Sequence, residues 1–157
     1  MRTLVIALAL AAALPAAQAR GHAMPNSTVV VQARSGAVEL AVSIPLSELS
    51  AALGHEPAAA EAGRYIAQHA GVTGADGRAW AAEVRDVHPH DVADHAVMAA
   101  TVVFTPPAGS SAKAVSLRYD AVSHRIASHY VLVYRRDGGE LAPLGRLQPP
   151  AVTLGLP

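Results

Sequence analysis

The chain has 157 residues, with 12 Lys and Arg balanced by 12 Asp and Glu and no cysteine. That composition excludes disulfide staples and a lipid-attachment thiol. It also excludes a dense basic surface of the kind that holds nucleic acid or anionic lipid. The unusual count is histidine: eight, against a single Phe and a single Trp.

The N-terminus reads as an export signal. Arg2 supplies the positive start, Leu4 to Leu14 form an apolar run, Pro15 breaks it, and Ala17-Gln18-Ala19 fits the small-x-small cleavage rule. The run has 11 residues, whereas a spanning helix needs roughly 20, so a cleaved signal is the stronger reading than an anchor. Cleavage after Ala19 makes residues 1–19 the signal and 20–157 one extracytoplasmic domain. A cut after Gly21 puts His22 first instead. Removing 19 of the 157 residues leaves 138, enough for one ordinary core that buries roughly two-thirds of the extended-chain surface. No second apolar run of membrane length follows, so the chain is expected to have no self-contained membrane span.

Period-two alternation dominates the remainder, the signature of half-buried strands. Val29, Val31 and Ala33 alternate with Val30, Gln32 and Arg34; after Ser35-Gly36, Val38, Leu40, Val42 and Ile44 line one face. This predicts a hairpin. From Pro45 the period changes, with Leu46, Leu49 and Leu53 at helical spacing before Gly54. A second helix is predicted over about Ala58 to His69, with Ala62, Tyr65, Ile66 and His69 on one face. Asp76-Gly77 marks a turn, and Trp80, Ala82 and Val84 alternate after it. The polar stretch Val87 to Asp94, with Pro89, reads as a loop. Val97 to Phe104 is apolar on both faces, as a central strand is. Further strands are predicted around Val115 to Tyr119, Tyr130 to Tyr134 and Val152 to Leu156. The count, about seven, predicts a mostly β, immunoglobulin-like antiparallel sandwich with a short helical insertion.

Chemistry is harder to place. There is no Gly-x-Ser-x-Gly elbow, phosphate loop or dinucleotide fingerprint. Ser123-His124 and Ser128-His129 are sequence neighbours, but a catalytic pair is set by spatial geometry. No nucleophile–base constellation is visible, and a non-enzymatic role is expected. The histidines fall into three groups: His22 near the mature N-terminus; His88, His90 and His95 in the polar stretch with Asp91 and Asp94; and His124 with His129 at the bend between two strands. Neutral imidazole suits nickel, copper and zinc. A His22 freed at residue one offers its amine and ring together, and Met24 and Met98 offer soft sulfur for Cu(I). Against this, His88-Pro89-His90 reads as a solvated loop sooner than as a site, and His124 or His129 equally as an interior side chain bonded to backbone. His69 suits the negative end of its helix, His55 reads as exposed, and Tyr65, Trp80 and Tyr119 as core.

Several short motifs occur in a familiar order. His22-Ala23-Met24-Pro25-Asn26-Ser27 precedes the Val-rich hairpin, which leads into Ile44-Pro45-Leu46-Ser47-Glu48-Leu49. Tyr65 with His69 follows, then Asp76-Gly77-Arg78-Ala79-Trp80, Phe104-Thr105-Pro106-Pro107, and Tyr119-Asp120-Ala121-Val122-Ser123-His124 with His129. This order resembles the extracytoplasmic N-terminal domain of HupE/UreJ-type membrane proteins over nearly all of the mature chain. The resemblance implies a β-sandwich outside the cytoplasm, periplasmic or otherwise extracytoplasmic, and a link to uptake of nickel or a related metal. It points to His22, His124 and His129 as the metal positions most worth testing; the clustering of His88, His90 and His95 makes them secondary candidates. In the family a transmembrane bundle follows the domain. Here the sequence stops at Gly155-Leu156-Pro157, so the expectation is either a split or truncated version of such a protein or a free-standing domain whose partner is a separate integral-membrane permease. The expected alternative is a structural or protein-interaction module with no metal role. Intact-mass measurement of the exported protein tests the signal reading: the mature chain is expected to begin at Arg20 or His22, and retention of Met1 overturns it.

Overall fold

The computed structural model describes residues 26–34, 36–110 and 114–156. The predicted export signal, His22 and Met24 lie outside them. Nine strands and two helices follow in chain order: β1 (Ser27–Arg34), β2 (Ala37–Pro45), α1 (Leu46–Leu53), α2 (Ala59–His69), β3 (Ala70–Thr73), β4 (Ala81–Val92), β5 (His95–Thr105), β6 (Val115–Tyr119), β7 (Val131–Asp137), β8 (Glu140–Leu147) and β9 (Thr153–Leu156).

The mostly β, sandwich-like architecture expected from the alternation is what the chain forms. A six-stranded sheet runs β4-β5-β2-β1-β7-β8, and a three-stranded sheet runs β3-β6-β9. Val29, Val31, Leu40, Val42, Val102 and Phe104 of the large sheet share one buried cluster with Val72, Leu117 and Tyr119 of the small sheet. Alternation explains why: β1 buries Val29 and Val31 while Val30 stays half-exposed, so one face of each strand is apolar and must be covered. The large sheet is mixed, because β1 pairs antiparallel with β2 but parallel with β7.

The helices sit where the period changed. Gly54 ends α1 at φ 82°, and its N–H donates to the Ser50 carbonyl at 2.8 Å, a left-handed cap that glycine adopts without cost from a Cβ. α2 buries Ala62, Gly63, Tyr65 and Ile66. A Cβ at Gly63 would stand 3.1 Å from Val87 Cγ2, so the missing side chain lets α2 lie close against β4.

Three elements depart from the alternation. Val87 to Asp94 is not a loop: β4 continues to Val92 and pairs with β5 as far as Val92 opposite His95. An edge strand tolerates Pro89 because one side of its backbone needs no partner N–H, and β4 is the sheet's edge. The stretch is polar on both faces because it is exposed on both faces. β3 follows α2 without a break, where no strand was predicted after His69. β8 carries Pro143 and Gly145 and lacks clean alternation, yet pairs along β7 with a register shift at Val133/Tyr134. Hence nine strands among the described residues, against the expected seven or so.

Leu40 is completely buried in this core. Leu40→Ala is expected to cost about 2–5 kcal/mol, whereas Val92→Ser, at a position 50% exposed, should stay within about 0.5 kcal/mol. Urea unfolding of both variants checks the assignment of inner and outer faces.

Candidate functional site

The described histidines occupy separate environments, built by different parts of the fold. Tyr65 and His69 stand four residues apart on α2 and therefore share a face, with ring centroids 4.6 Å apart. The chain leaving β6 runs past this face. Asp120 donates its backbone N–H to the His69 carbonyl at 3.1 Å, and its Oδ1 accepts from His69 Nδ1 at 2.9 Å. Arg118 Nη1 reaches the same oxygen at 2.9 Å, while its Nη2 donates to the Gln68 carbonyl. His124 Nδ1 donates to the Asp120 carbonyl at 3.1 Å, and its ring stacks on His69 with centroids 4.0 Å apart and planes 15° from parallel. The Tyr65 hydroxyl accepts from Val122 N–H at 2.8 Å. Val122 sits at φ 67°, a strained conformation for a β-branched residue. Burial lowers the His69 pKa below its ordinary 6.5; the Asp120 hydrogen bond opposes this shift and His124 adds to it.

His129 lies elsewhere and is 2% exposed. Its Nε2 is hydrogen-bonded to Ser27 Oγ at 2.9 Å, and its Nδ1 faces Glu48 Oε2 at 3.4 Å without an aligned hydrogen bond. Ser27, His129 and Glu48 thus stand in the order of a hydrolytic triad, an arrangement sequence neighbours gave no hint of. Ser27 is fully buried, and the arrangement ties β1, α1 and the connection before β7 together. Burial lowers the His129 pKa, with the Glu48 carboxylate pulling the other way.

The third group lies on the β4–β5 hairpin. His88 and His90 are two residues apart and so project from one face of β4. His90 stands opposite Val97, and Val92 opposite His95; directly opposed residues share a face, which places His95 diagonal to His90 on the same side. The His88 and His90 centroids are 6.3 Å apart with planes at 69°. His88 Nδ1 donates to the Asp86 carbonyl at 2.7 Å, which fixes its tautomer and leaves Nε2 for a ligand. His95 also lines a cleft of about 390 Å³ between the hairpin tip and α1, with Pro45, Leu46, Ser47, Glu56 and Asp94.

These geometries differ in what they offer a metal. A ligating imidazole holds the ion about 2.1 Å from nitrogen, close to its own ring plane. Two nearly parallel stacked rings aim their lone pairs side by side, so His69 and His124 cannot grip one ion in their present pose. His129 has spent Nε2 on Ser27 and is sealed from solvent. His88 and His90 are inclined to one another and exposed. Among the described residues no three His, Cys, Asp or Glu side chains are already disposed to hold a metal ion.

The structure therefore sends His124 and His129 to different partners, and His22 lies outside the described residues. The sequence reading missed the roles of His69, Asp120, Ser27 and Glu48 in these contacts. Only the i, i+4 spacing of Tyr65 and His69 was legible beforehand. No protein-family model matches the chain and no curated protein matches it, so the likeness to the HupE/UreJ domain rests on the quoted motifs alone.

His129→Ala is expected to cost about 2–4 kcal/mol at neutral pH, since it opens a cavity and unpairs Ser27. A histidine whose folded pKa is lowered contributes fully above its unfolded value of about 6.5 and loses that contribution as pH falls below it. Urea denaturation should accordingly show the gap between wild type and His129→Ala shrinking towards pH ~5.

Proposed function

We propose that this chain is a non-enzymatic, extracytoplasmic domain that binds a transition-metal ion (nickel, copper or zinc) on its β4 arm and passes it to a separate membrane permease. The observation that carries the reading is the His88–His90 pair: two exposed imidazoles on one strand face, one with its Nδ1 already held by the Asp86 carbonyl. Two such ligands with water filling the remaining positions make a labile site. Lability suits a carrier that must give up its ion, whereas storage calls for a closed set of four ligands. The motif order shared with the HupE/UreJ domain supports the metal class and the permease partner. Among the described residues no helix is long and apolar enough to cross a membrane, and in this reading the bilayer step belongs to the partner.

A second reading has its own support. His129 is a buried tie and His124 is stacked away against α2, as expected of a protein-interaction module whose histidines have structural duties.

Calorimetric titration of the metal-free exported protein with nickel, copper and zinc salts decides between them. Saturable binding well below millimolar concentration is expected, and His88→Ala or His90→Ala should weaken it at least about tenfold. His129→Gln should leave it unchanged. A flat titration for all three ions removes the metal reading and favours the interaction module.

A further inference from the structure

The large sheet is covered on one side only. Leu49 of α1, Ile66 of α2 and Leu117 of the small sheet all join the cluster that holds Leu40, Val42 and Val102. Both helices and the second sheet therefore lie against the inner face. Val30, Val103 and Leu132 point the other way, are half-buried by neighbours within their own sheet, and belong to no part of that cluster. β5 shows the asymmetry best. Its outward residues Ala99, Thr101 and Val103 are as uncharged as its inward ones, a composition that fits burial on both faces. Among the described residues no helix or strand covers that outer side.

Strand pairing sets the outward residues in rows. From β4 to β8 one row runs Arg85, Thr101, Ala41, Val30, Tyr134, Pro143, and the next runs His88, Ala99, Ser43, Thr28, Leu132, Arg146. In both, the four central residues are uncharged, and the cations and the imidazole stand on the two edge strands. Charge returns in the row beyond, where Glu83 and Glu39 flank Val103. The border groups are engaged locally: Arg85 Nε donates to Glu83 at 2.8 Å, and Arg146 lies 4.0 Å over the Tyr130 ring. An uncharged centre inside a polar rim is the anatomy of a protein interface. Sizes along the rows select the partner. The bulky Leu132 and Tyr134 of β7 share their rows with the small Ala99 and Thr101 of β5. A two-fold axis along the strands, between β2 and β1, reverses every row of a second copy. Tyr134 then stands over Thr101 of the second copy, Leu132 over its Ala99 and Val30 over its Ala41. Large meets small in each pair, and both copies make the same contacts, as a closed dimer requires.

We infer that the outer face of the large sheet is a self-association surface, on which a second copy of this chain packs face to face about a two-fold axis parallel to the strands. The same turn lays the β4 edge, with Glu83, over the β7–β8 edge of the second copy, with its Arg136, so opposite charges meet at the rim. Six strands about 4.8 Å apart, with four outward residues along each, cover roughly 25 by 20 Å, so about 1,000 Å² is buried over both copies. That area reaches the lower bound of a specific interface and falls short of an obligate one. Stacked sheets cross at about 30°, which displaces the edges most and the centre least. The Val30–Ala41 contact beside the axis is accordingly the firmest. His88 and His90 stand at the rim, and the association needs no metal.

Analytical ultracentrifugation of the exported protein, with a chelator present so that no outcome depends on metal, reads the association directly. Between about 1 μM and about 1 mM the mass should rise from one chain to two. Val30→Lys sets two like charges beside the axis and should weaken association at least roughly tenfold. Ala51→Lys, on the exposed side of α1, should leave it unchanged. Should Val30→Lys fail to fold, Leu132→Glu takes its place with the same expectation. Because the chain has no cysteine, Val30→Cys and Ala41→Cys each introduce the sole thiol of their chain. Mixed and treated with a short bis-maleimide, they should join chiefly to each other. A single-chain mass at every concentration, association indifferent to the charged variant, or cross-links chiefly between like variants overturns the inference.

Discussion

A chain that leaves the small sheet at Tyr119 must re-enter the large sheet at Val131, beside β1, and every polar group it buries on the way needs a partner. That crossing is the constraint around which the rest is arranged. The parallel pairing of β7 with β1 joins the start of the described chain to its last third, and it cannot be made by a tight turn. The eleven residues from Asp120 to Tyr130 make it instead, with carbonyls returned to their own turn and side chains tied to α2, α1 and β1. α2 thereby gains a second duty. It covers the core with Ala62 and Ile66, and it presents Tyr65 and His69 as the surface on which the crossing rests.

Histidine suits such a crossing because it supplies a flat ring for packing and a polar edge for bonding, at the low charge a partly buried site requires. The same residue type consequently does three different things. His129 is a tie in a dry site, His124 and His69 are stacked plates backed by a carboxylate, and His88 and His90 are exposed donors on an edge strand. Burial separates His129, and in part His69, from the exposed pair on β4, while the His124 ring is itself exposed. Where water is excluded the neutral form is favoured and nitrogen is spent on neighbours; where the strand is open, as on β4, nitrogen remains free for an ion.

The β4 arm also shows how an edge is kept from pairing with another chain. Pro89, a register shift between Arg85 and His88, and charged residues interrupt the ladder on a strand that would otherwise present twelve residues of unpaired backbone. Exposed histidines on that strand contribute to the same end, since they place polar rings where an apolar strand would invite aggregation.

What the residues decided alone was local. Alternation at Val29 to Ile44 fixed which faces turn inward, because a period of two leaves one apolar side. The shift to helical spacing at Leu46 and the glycine at Gly54 set α1, because those signals act over a few residues. Pro89 misled, since its meaning depends on whether the strand lies at an edge, and strand order is a property of the whole sheet. β8 was hidden for a similar reason: its Pro143 and Gly145 are tolerated by a partner strand that the local pattern does not reveal. The meetings of His69 with Asp120, 51 residues apart, and of Ser27 with His129, 102 apart, were decided by tertiary structure. Contacts of that span depend on how two sheets stack and where the crossing runs, and no spacing within one segment encodes them.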